Sequence, residues 1–134
     1  MGDTLFSNYI EAWSKHADGR EETAQAMVDA ATADVTYDDI HNPEPLRGAE
    51  GLRMVNQAAA HLFSSLTFDI QERVRADNGW AITWEAHGTH RPSGKSCSFR
   101  GASVGTVAED GKVASHTDFW NAGLLEAQVG PLAG

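Results

Sequence analysis

Residues 80–90 read Trp80-Ala81-Ile82-Thr83-Trp84-Glu85-Ala86-His87-Gly88-Thr89-His90. Side chains of an extended strand alternate between two faces, so Trp80, Ile82, Trp84, Ala86, Gly88 and His90 share one side. Ala81, Thr83, Glu85, His87 and Thr89 share the other. One apolar and one polar face mark a strand of an antiparallel sheet that is covered on one side only. Turn signals bound it, Asp77-Asn78-Gly79 before and Pro92-Ser93-Gly94 after.

Strands are expected on both sides of this segment. Upstream, Leu66, Phe68, Ile70 and Val74 fall on one parity and Thr67, Asp69, Gln71 and Arg73 on the other. Downstream, a strand over about 96–108 leads through the turn Glu109-Asp110-Gly111-Lys112 into a last long strand over 113–121. A short C-terminal helix follows, carrying Leu124, Leu125 and Val129. The result is a meander of four antiparallel strands whose apolar face needs a cover.

The N-terminal half supplies it. Leu5, Phe6, Tyr9, Ile10 and Trp13 recur at helical spacing and predict a helix over about 4–16. A second helix, about 20–31, has Asp18 to cap it, Glu21 and Glu22 in its first turn, and Ala24, Met27, Val28 and Ala31 on its inward side. Val35-Thr36-Tyr37-Asp38 is a short extended segment, and Pro43 and Pro45 keep the stretch after it irregular. Gly48 precedes a third helix, about 49–63, with Leu52, Val55, Ala59, Leu62 and Phe63 on its buried side. This predicts an α+β fold: a cone-shaped, curved antiparallel sheet with three N-terminal helices on its concave face, whose open end is a natural ligand site.

The whole chain of 134 residues, 1–134, is expected to form a single domain. A formal net charge of −9 with ten scattered basic residues argues against nucleic acid. No apolar run reaches membrane-spanning length, and the N-terminus lacks a signal-peptide pattern, so the expectation is a cytoplasmic protein that does not bind membranes. One cysteine, Cys97, excludes an internal disulfide and a Cys-rich zinc site. Of six histidines only His87 and His90 are close, and their odd spacing sends them to opposite faces, so neither a metal nor any other cofactor is expected. A dinucleotide fingerprint and a serine nucleophile elbow are absent.

Several segments together resemble the SnoaL-like, polyketide cyclase branch of the nuclear transport factor 2-like superfamily. They are Tyr9-Ile10-Glu11-Ala12-Trp13 with His16-Ala17-Asp18, the run Ala33 to Asp39, Gly48-Ala49-Glu50-Gly51-Leu52, Gly88-Thr89-His90, Phe99-Arg100-Gly101, Asp110 to Val113, His116-Thr117-Asp118-Phe119-Trp120, and Leu124 to Gly130. The resemblance implies the same cone fold and a homodimer formed through the outer sheet face. It also implies chemistry without a cofactor on a small hydrophobic or polycyclic organic compound of secondary metabolism, by aldol-type ring closure or a related isomerisation or dehydration. Epoxide opening and non-catalytic ligand binding also occur on this scaffold.

In the last strand His116, Asp118 and Trp120 share a parity opposite Val113, Ser115, Thr117 and Phe119. Parity alone leaves open which set faces the cavity. The resemblance places an acidic catalytic residue at Asp118 and so turns that set inward. A carboxylate among tryptophans has its pKa raised by desolvation and lowered by a nearby imidazolium, and such groups move protons. The expected catalytic set is Asp118 as acid or base, His90 or His116 as its relay, and Tyr37 as donor to a substrate oxygen. The alternative is an Asp–His pair that satisfies itself inside the sheet. Expected pocket walls are Trp84, Trp120, Asp39, Trp13, Phe63 and Met54, flat aromatic surface suiting a conjugated ligand. His41 reads as a solvated loop residue. Arg100 is expected to face outward, against the Asp–Arg–Asp arrangement of epoxide hydrolysis.

Overall fold

A computed structural model describes residues 4–132. Three helices, α1 (Thr4–Trp13), α2 (Glu21–Asp29) and α3 (Gly48–Leu62), enclose strands β1 (Ala31–Asp39) and β2 (Leu46–Arg47). Strands β3 (Phe63–Arg75), β4 (Gly79–His90), β5 (Ser96–Val107) and β6 (Val113–Trp120) follow, and α4 (Ala122–Val129) ends the fold. Among the described residues no helix is long and apolar enough to cross a membrane.

One six-stranded sheet runs in the order β2-β1-β6-β5-β4-β3. The meander β3 to β6 is antiparallel as expected. The sheet as a whole is mixed, because β1 is nine residues long and adds to the free edge of β6 in parallel. That pairing sets Tyr37 opposite His116 and Asp39 opposite Asp118. The site therefore joins residues about eighty positions apart in the chain.

The inner face of β4 is as the alternation predicts. Trp80, Ile82, Trp84, Ala86 and His90 are buried. Two bulky indoles fit because each pairs with a glycine of β5, Trp80 with Gly105 and Trp84 with Gly101. A Cβ on Gly101 would lie 2.5 Å from the Trp84 ring, and one on Gly105 would lie 2.5 Å from Trp80 Nε1 and 1.9 Å from the Ser115 carbonyl. Glycine in a strand interior here makes room for a neighbouring ring.

Strict alternation fails at several register shifts, two of which redirect side chains read from the sequence. The register of β3 against β4 slips between Ile70 and Glu72, so Gln71 is an extra residue and the faces exchange beyond it. Val74 is therefore 61% exposed instead of inward, while the Arg73 guanidinium lies 5.8 Å over the Phe6 ring of α1. A second slip, between Thr106 and Val107 of β5, makes Ala114 the extra residue of β6. Val113, expected opposite His116, is consequently buried too.

The helices cover the inner face through a core of Phe6, Tyr9, Ile10, Trp13, Met27 and Leu52, all sealed from solvent. Asp18 does not cap α2 directly, since the residue at the cap position is Arg20. Its carboxylate instead accepts the Arg20 N–H at 2.8 Å and the Thr23 hydroxyl at 2.6 Å, just ahead of the helix. The side chain of Gln128 on α4 bonds both backbone groups of Ser98, at 2.9 and 2.7 Å. It thereby covers the stretch of β5 that extends past the end of β6.

Candidate functional site

Asp118 and the residues around it form the centre of a buried polar cluster. On the inner face of β6 its carboxylate accepts three hydrogen bonds: Tyr37 Oη to Oδ2 at 2.5 Å, Ser103 Oγ to Oδ1 at 2.6 Å, and His116 Nε2 to Oδ1 at 2.5 Å. A second layer determines where the protons lie. Trp13 Nε1 donates to Tyr37 Oη at 2.7 Å, and Trp84 Nε1 donates to Ser103 Oγ at 2.9 Å. An indole N–H can only donate. The Tyr37 and Ser103 oxygens therefore act as acceptors toward the tryptophans, and both hydroxyl protons are directed at Asp118. The other ring nitrogen of His116, Nδ1, lies 2.8 Å from Tyr9 Oη.

Three donors on one carboxylate stabilise its charged form. Burial by itself would push the Asp118 carboxyl up. The His116 charge and the hydrogen bonds from His116, Ser103 and Tyr37 outweigh burial and hold it below the ordinary value of 3.8. Burial, reinforced by the Asp118 charge, keeps the Tyr37 and Tyr9 phenols well above 10, so both stay protonated.

Asp118 stands at one wall of a cavity of about 270 Å³, near the small end of the range for ligand pockets. Its side chain is 10% exposed, while that of His116 behind it is wholly sealed. The walls are Val55, Ala58, Ala59 and Leu62 of α3, Phe63, Leu66 and Phe68 of β3, Trp84, Phe99 and Trp120 of the sheet, and Leu46. His16, Tyr37, Asp39 and Asn42 complete the lining. Val55, Ala59 and Leu62 of α3 are only partly buried because they face this empty space instead of packed atoms.

Of the residues singled out from sequence, the structure brings together Asp118, His116, Tyr37, Asp39, Trp84, Trp120 and Phe63. Asp39 Oδ2 accepts from Trp120 Nε1 at 2.8 Å, and Oδ1 accepts the His41 backbone N–H at 2.9 Å. His41 is tied down: its Nε2 lies 2.8 Å from the Trp120 carbonyl, and its ring meets Trp120 edge-on at 4.6 Å. Trp13 is a support behind the wall, fully buried and bonded to Tyr37.

Trp13 is thus not the pocket wall expected, and three further expectations need correction. His90 is buried on the predicted face but does not border the cavity. It lies eight residues along β4 from Ile82, which pairs with Ser103 and through it with Asp118, or about 26 Å of strand. Its Nδ1 lies 2.8 Å from Ser93 Oγ in the following turn, so it is no partner of Asp118. Met54 is 54% exposed, on the side of α3 turned away from the cavity. Tyr37 offers no proton to a substrate oxygen in this arrangement, because its hydroxyl proton is engaged by Asp118.

Sequence reasoning passed over Ser103 and His16, and read Tyr9 only as part of the apolar stripe of the first helix. Ser103 left a signal: it is the one hydroxyl on the inward parity of β5, between Phe99 and Val107. His16 left one too, continuing the helical stripe of Tyr9 and Trp13 one turn further. Its Nδ1 donates to the Trp13 carbonyl at 2.6 Å, and its ring stacks on Phe68 with centroids 5.2 Å apart. Burial lowers its pKa from the ordinary 6.5, opposed by the Trp13 carbonyl and the Asp118 charge.

Solved structures share this architecture at low identity, which establishes the fold alone. A hypothetical protein from Catenulispora acidiphila DSM 44928 with a ketosteroid isomerase-like fold, in complex with trimethylamine, is 18% identical; the match covers 94% of this chain and 95% of that one, with a TM-score of 0.78. A candidate SnoaL-like polyketide cyclase from Jannaschia sp. CCS1 is 13% identical over 92% of both chains, with a TM-score of 0.78. The epoxide hydrolase/cyclase-like enzyme SalBIII, of pyran ring formation in salinomycin, is 18% identical over 92% of this chain and 97% of its own, with a TM-score of 0.72. No curated protein sequence matches significantly. The sequence profile of the SnoaL-like domain, however, matches residues 6–116, from the first helix to the histidine behind the carboxylate, and the chain belongs to that family.

Proposed function

We propose that this protein is a cofactor-independent acid/base enzyme that binds a small hydrophobic carbonyl compound and uses Asp118 to take a proton from carbon beside the carbonyl. The observation that carries this reading is an ionised carboxylate, held by Tyr37, Ser103 and His116, that borders a cavity with largely apolar walls. A substrate seated there displaces water from the carboxylate, which then meets it with little competing solvation. In the step, the C–H pair of electrons moves into the substrate as an enolate while the proton goes to Asp118; attack of that enolate on a second carbonyl of the same molecule closes a ring, and the alkoxide so formed takes the proton back from Asp118. Pocket shape contributes by holding the chain folded. Aldol-type cyclisation of the polyketide cyclase kind is the specific reaction we favour, consistent with the family and with a neighbour of that description.

Proton abstraction is measurable without the natural substrate. Deuterium incorporation at the α-carbon of 2-tetralone, followed by NMR in deuterated buffer, is expected to accelerate with the protein and to lose that acceleration in Asp118→Asn. Equal exchange with both proteins would remove the acid/base role and leave a ligand-binding module.

Epoxide opening is less favoured. Asp39 and Asp118 are cross-strand neighbours and both border the cavity, as a two-carboxylate mechanism requires. No arginine or lysine is among the lining residues, and Arg100 is exposed on the outer face. That outer face carries Phe119, 44% exposed, one strand from the exposed Val104. These side chains support the homodimer that we also infer.

A further inference from the structure

The hydrogen-bond directions around the cavity restrict what it can hold. We propose that, among compact apolar carbonyl compounds, the cavity selects those that also carry hydrogen-bond donors, hydroxyl or amine, which meet Asp118, Asp39 and His16 Nε2. The inference rests on the reading of this cavity as a ligand site and adds the substrate class.

Each buried side-chain donor beside the cavity is already engaged by the protein. The Trp13 and Trp84 N–H groups go to the Tyr37 and Ser103 hydroxyls, and those hydroxyls go to Asp118. The Trp120 N–H goes to Asp39. On His16 the proton sits on Nδ1, because the group facing it at 2.6 Å is the Trp13 carbonyl, which can only accept. Nε2 of the neutral ring is then a bare lone pair. It has no protein partner among the described residues, although His16 borders the cavity. Asp39 and Asp118 supply further acceptor positions. Only Asn42, at the exposed rim, adds side-chain N–H groups to the lining.

An acceptor-rich interior treats ligands unequally. A hydroxyl or amine gains bonds to groups already desolvated. An ether oxygen placed against them finds no donor and loses its water, a substrate carbonyl is directed toward the Asn42 amide at the rim, and a carboxylate meets two like charges with no lysine or arginine beside it. The flat walls of Phe68, Phe99, Trp84 and Trp120 suit a ring system of one or two fused rings. A cationic amine gains additionally from the aromatic faces.

A series on a common naphthalene frame tests this by calorimetric titration of the intact protein: 1,3-dihydroxynaphthalene, 2-(aminomethyl)naphthalene, 1,3-dimethoxynaphthalene and 2-naphthoate. The diol or the amine is expected to bind at least about tenfold more tightly than the dimethyl ether, with the naphthoate weakest. The tighter of the first two identifies the donor type. His16→Phe, which keeps the ring stack and removes the lone pair, is expected to weaken the diol severalfold and leave the ether unchanged. Ether binding equal to the diol, naphthoate binding tightest, or no binding by any probe at millimolar concentration overturns the proposal, and none of these comparisons depends on the variant folding. Exchange of 2-tetralone reports proton abstraction separately. Donor selectivity without exchange would leave this inference standing and remove the enzymatic reading; exchange without donor selectivity would do the reverse.

Discussion

His116 Nε2 lies 2.5 Å from Asp118 Oδ1 and lies behind it, sealed from the cavity that Asp118 faces. The carboxylate is thus the group presented to a ligand, and the imidazole is its support. Asp118→Asn should therefore remove α-proton exchange to background, a loss on the scale of general base catalysis, at least about a hundredfold. The amide also turns one oxygen into a donor that faces the Tyr37, Ser103 or His116 proton. A stability loss of about 1–3 kcal/mol is expected alongside, measured by urea unfolding.

His116→Phe separates support from chemistry. Removing one partner of a buried ion pair costs about 3–5 kcal/mol. Activity should fall but persist, since Asp118 remains. The diagnostic is the pH dependence. The Asp118 carboxyl is depressed in the folded protein, so its stabilising contribution is present above the ordinary carboxylate value and is lost as pH falls through the lower folded value. Without the imidazole, burial is less opposed and the folded pKa rises. The acid limb of both stability and exchange rate should then move to higher pH in the variant. An unmoved limb would mean that His116 does not hold the carboxylate ionised.

Tyr37→Phe tests the inner hydrogen-bond layer. It leaves the Trp13 N–H without an acceptor and takes one donor from Asp118. The expected cost is about 1–3 kcal/mol in stability, with a smaller rise of the acid limb than in His116→Phe. If Tyr37 were instead a free donor to substrate, binding of a ketone probe would weaken while the acid limb stayed in place.

These relationships show how far the chain can be read unaided. Alternation along 80–90 located the sheet and its inner face, because Trp80, Ile82 and Trp84 have no stable position except against the helices. It failed at Val74 and Val113, where Gln71 and Ala114 are extra residues: a bulge depends on pairing with the next strand and leaves no mark in the local pattern. His90 shows the matching limit for the site. Parity gives the face of a strand but not the position along it, so the side chain pointed inward at the wrong end. The parallel pairing of β1 with β6 was not legible either, yet it is what brings Tyr37 and Asp39 against His116 and Asp118. Ser103 and His16 were legible as polar residues on apolar stripes, and their meaning emerged only from the directions of the hydrogen bonds around them.

His16 also gives the protein a stability change nearer neutral pH. Its folded pKa is lowered, chiefly by burial, from the ordinary 6.5. Between the two values the unfolded chain binds a proton that the folded protein does not, so stability should decline as pH falls below about 6.5 and level off once the folded ring is protonated. The charged groups facing it are Asp118 and Asp18, which favour the imidazolium, and His116, which opposes it. In His16→Phe this limb of the urea midpoint against pH should disappear, while the more acidic limb from Asp118 remains.

The cavity itself can be tested by filling it. Ala59 on α3 faces the empty space and is only partly buried. In a close-packed core a change from alanine to phenylalanine costs about 1–3 kcal/mol, because neighbours must leave their rotamers. Here the new ring has room among Leu62, Phe99 and Trp120, and its apolar area leaves water. Ala59→Phe should therefore keep stability within about 1 kcal/mol of the parent while weakening every probe ligand by at least about tenfold. The same substitution should abolish α-proton exchange although Asp118 and its three donors are untouched. Strong destabilisation would show that the space is not free. Unchanged ligand affinity would place binding elsewhere on the protein.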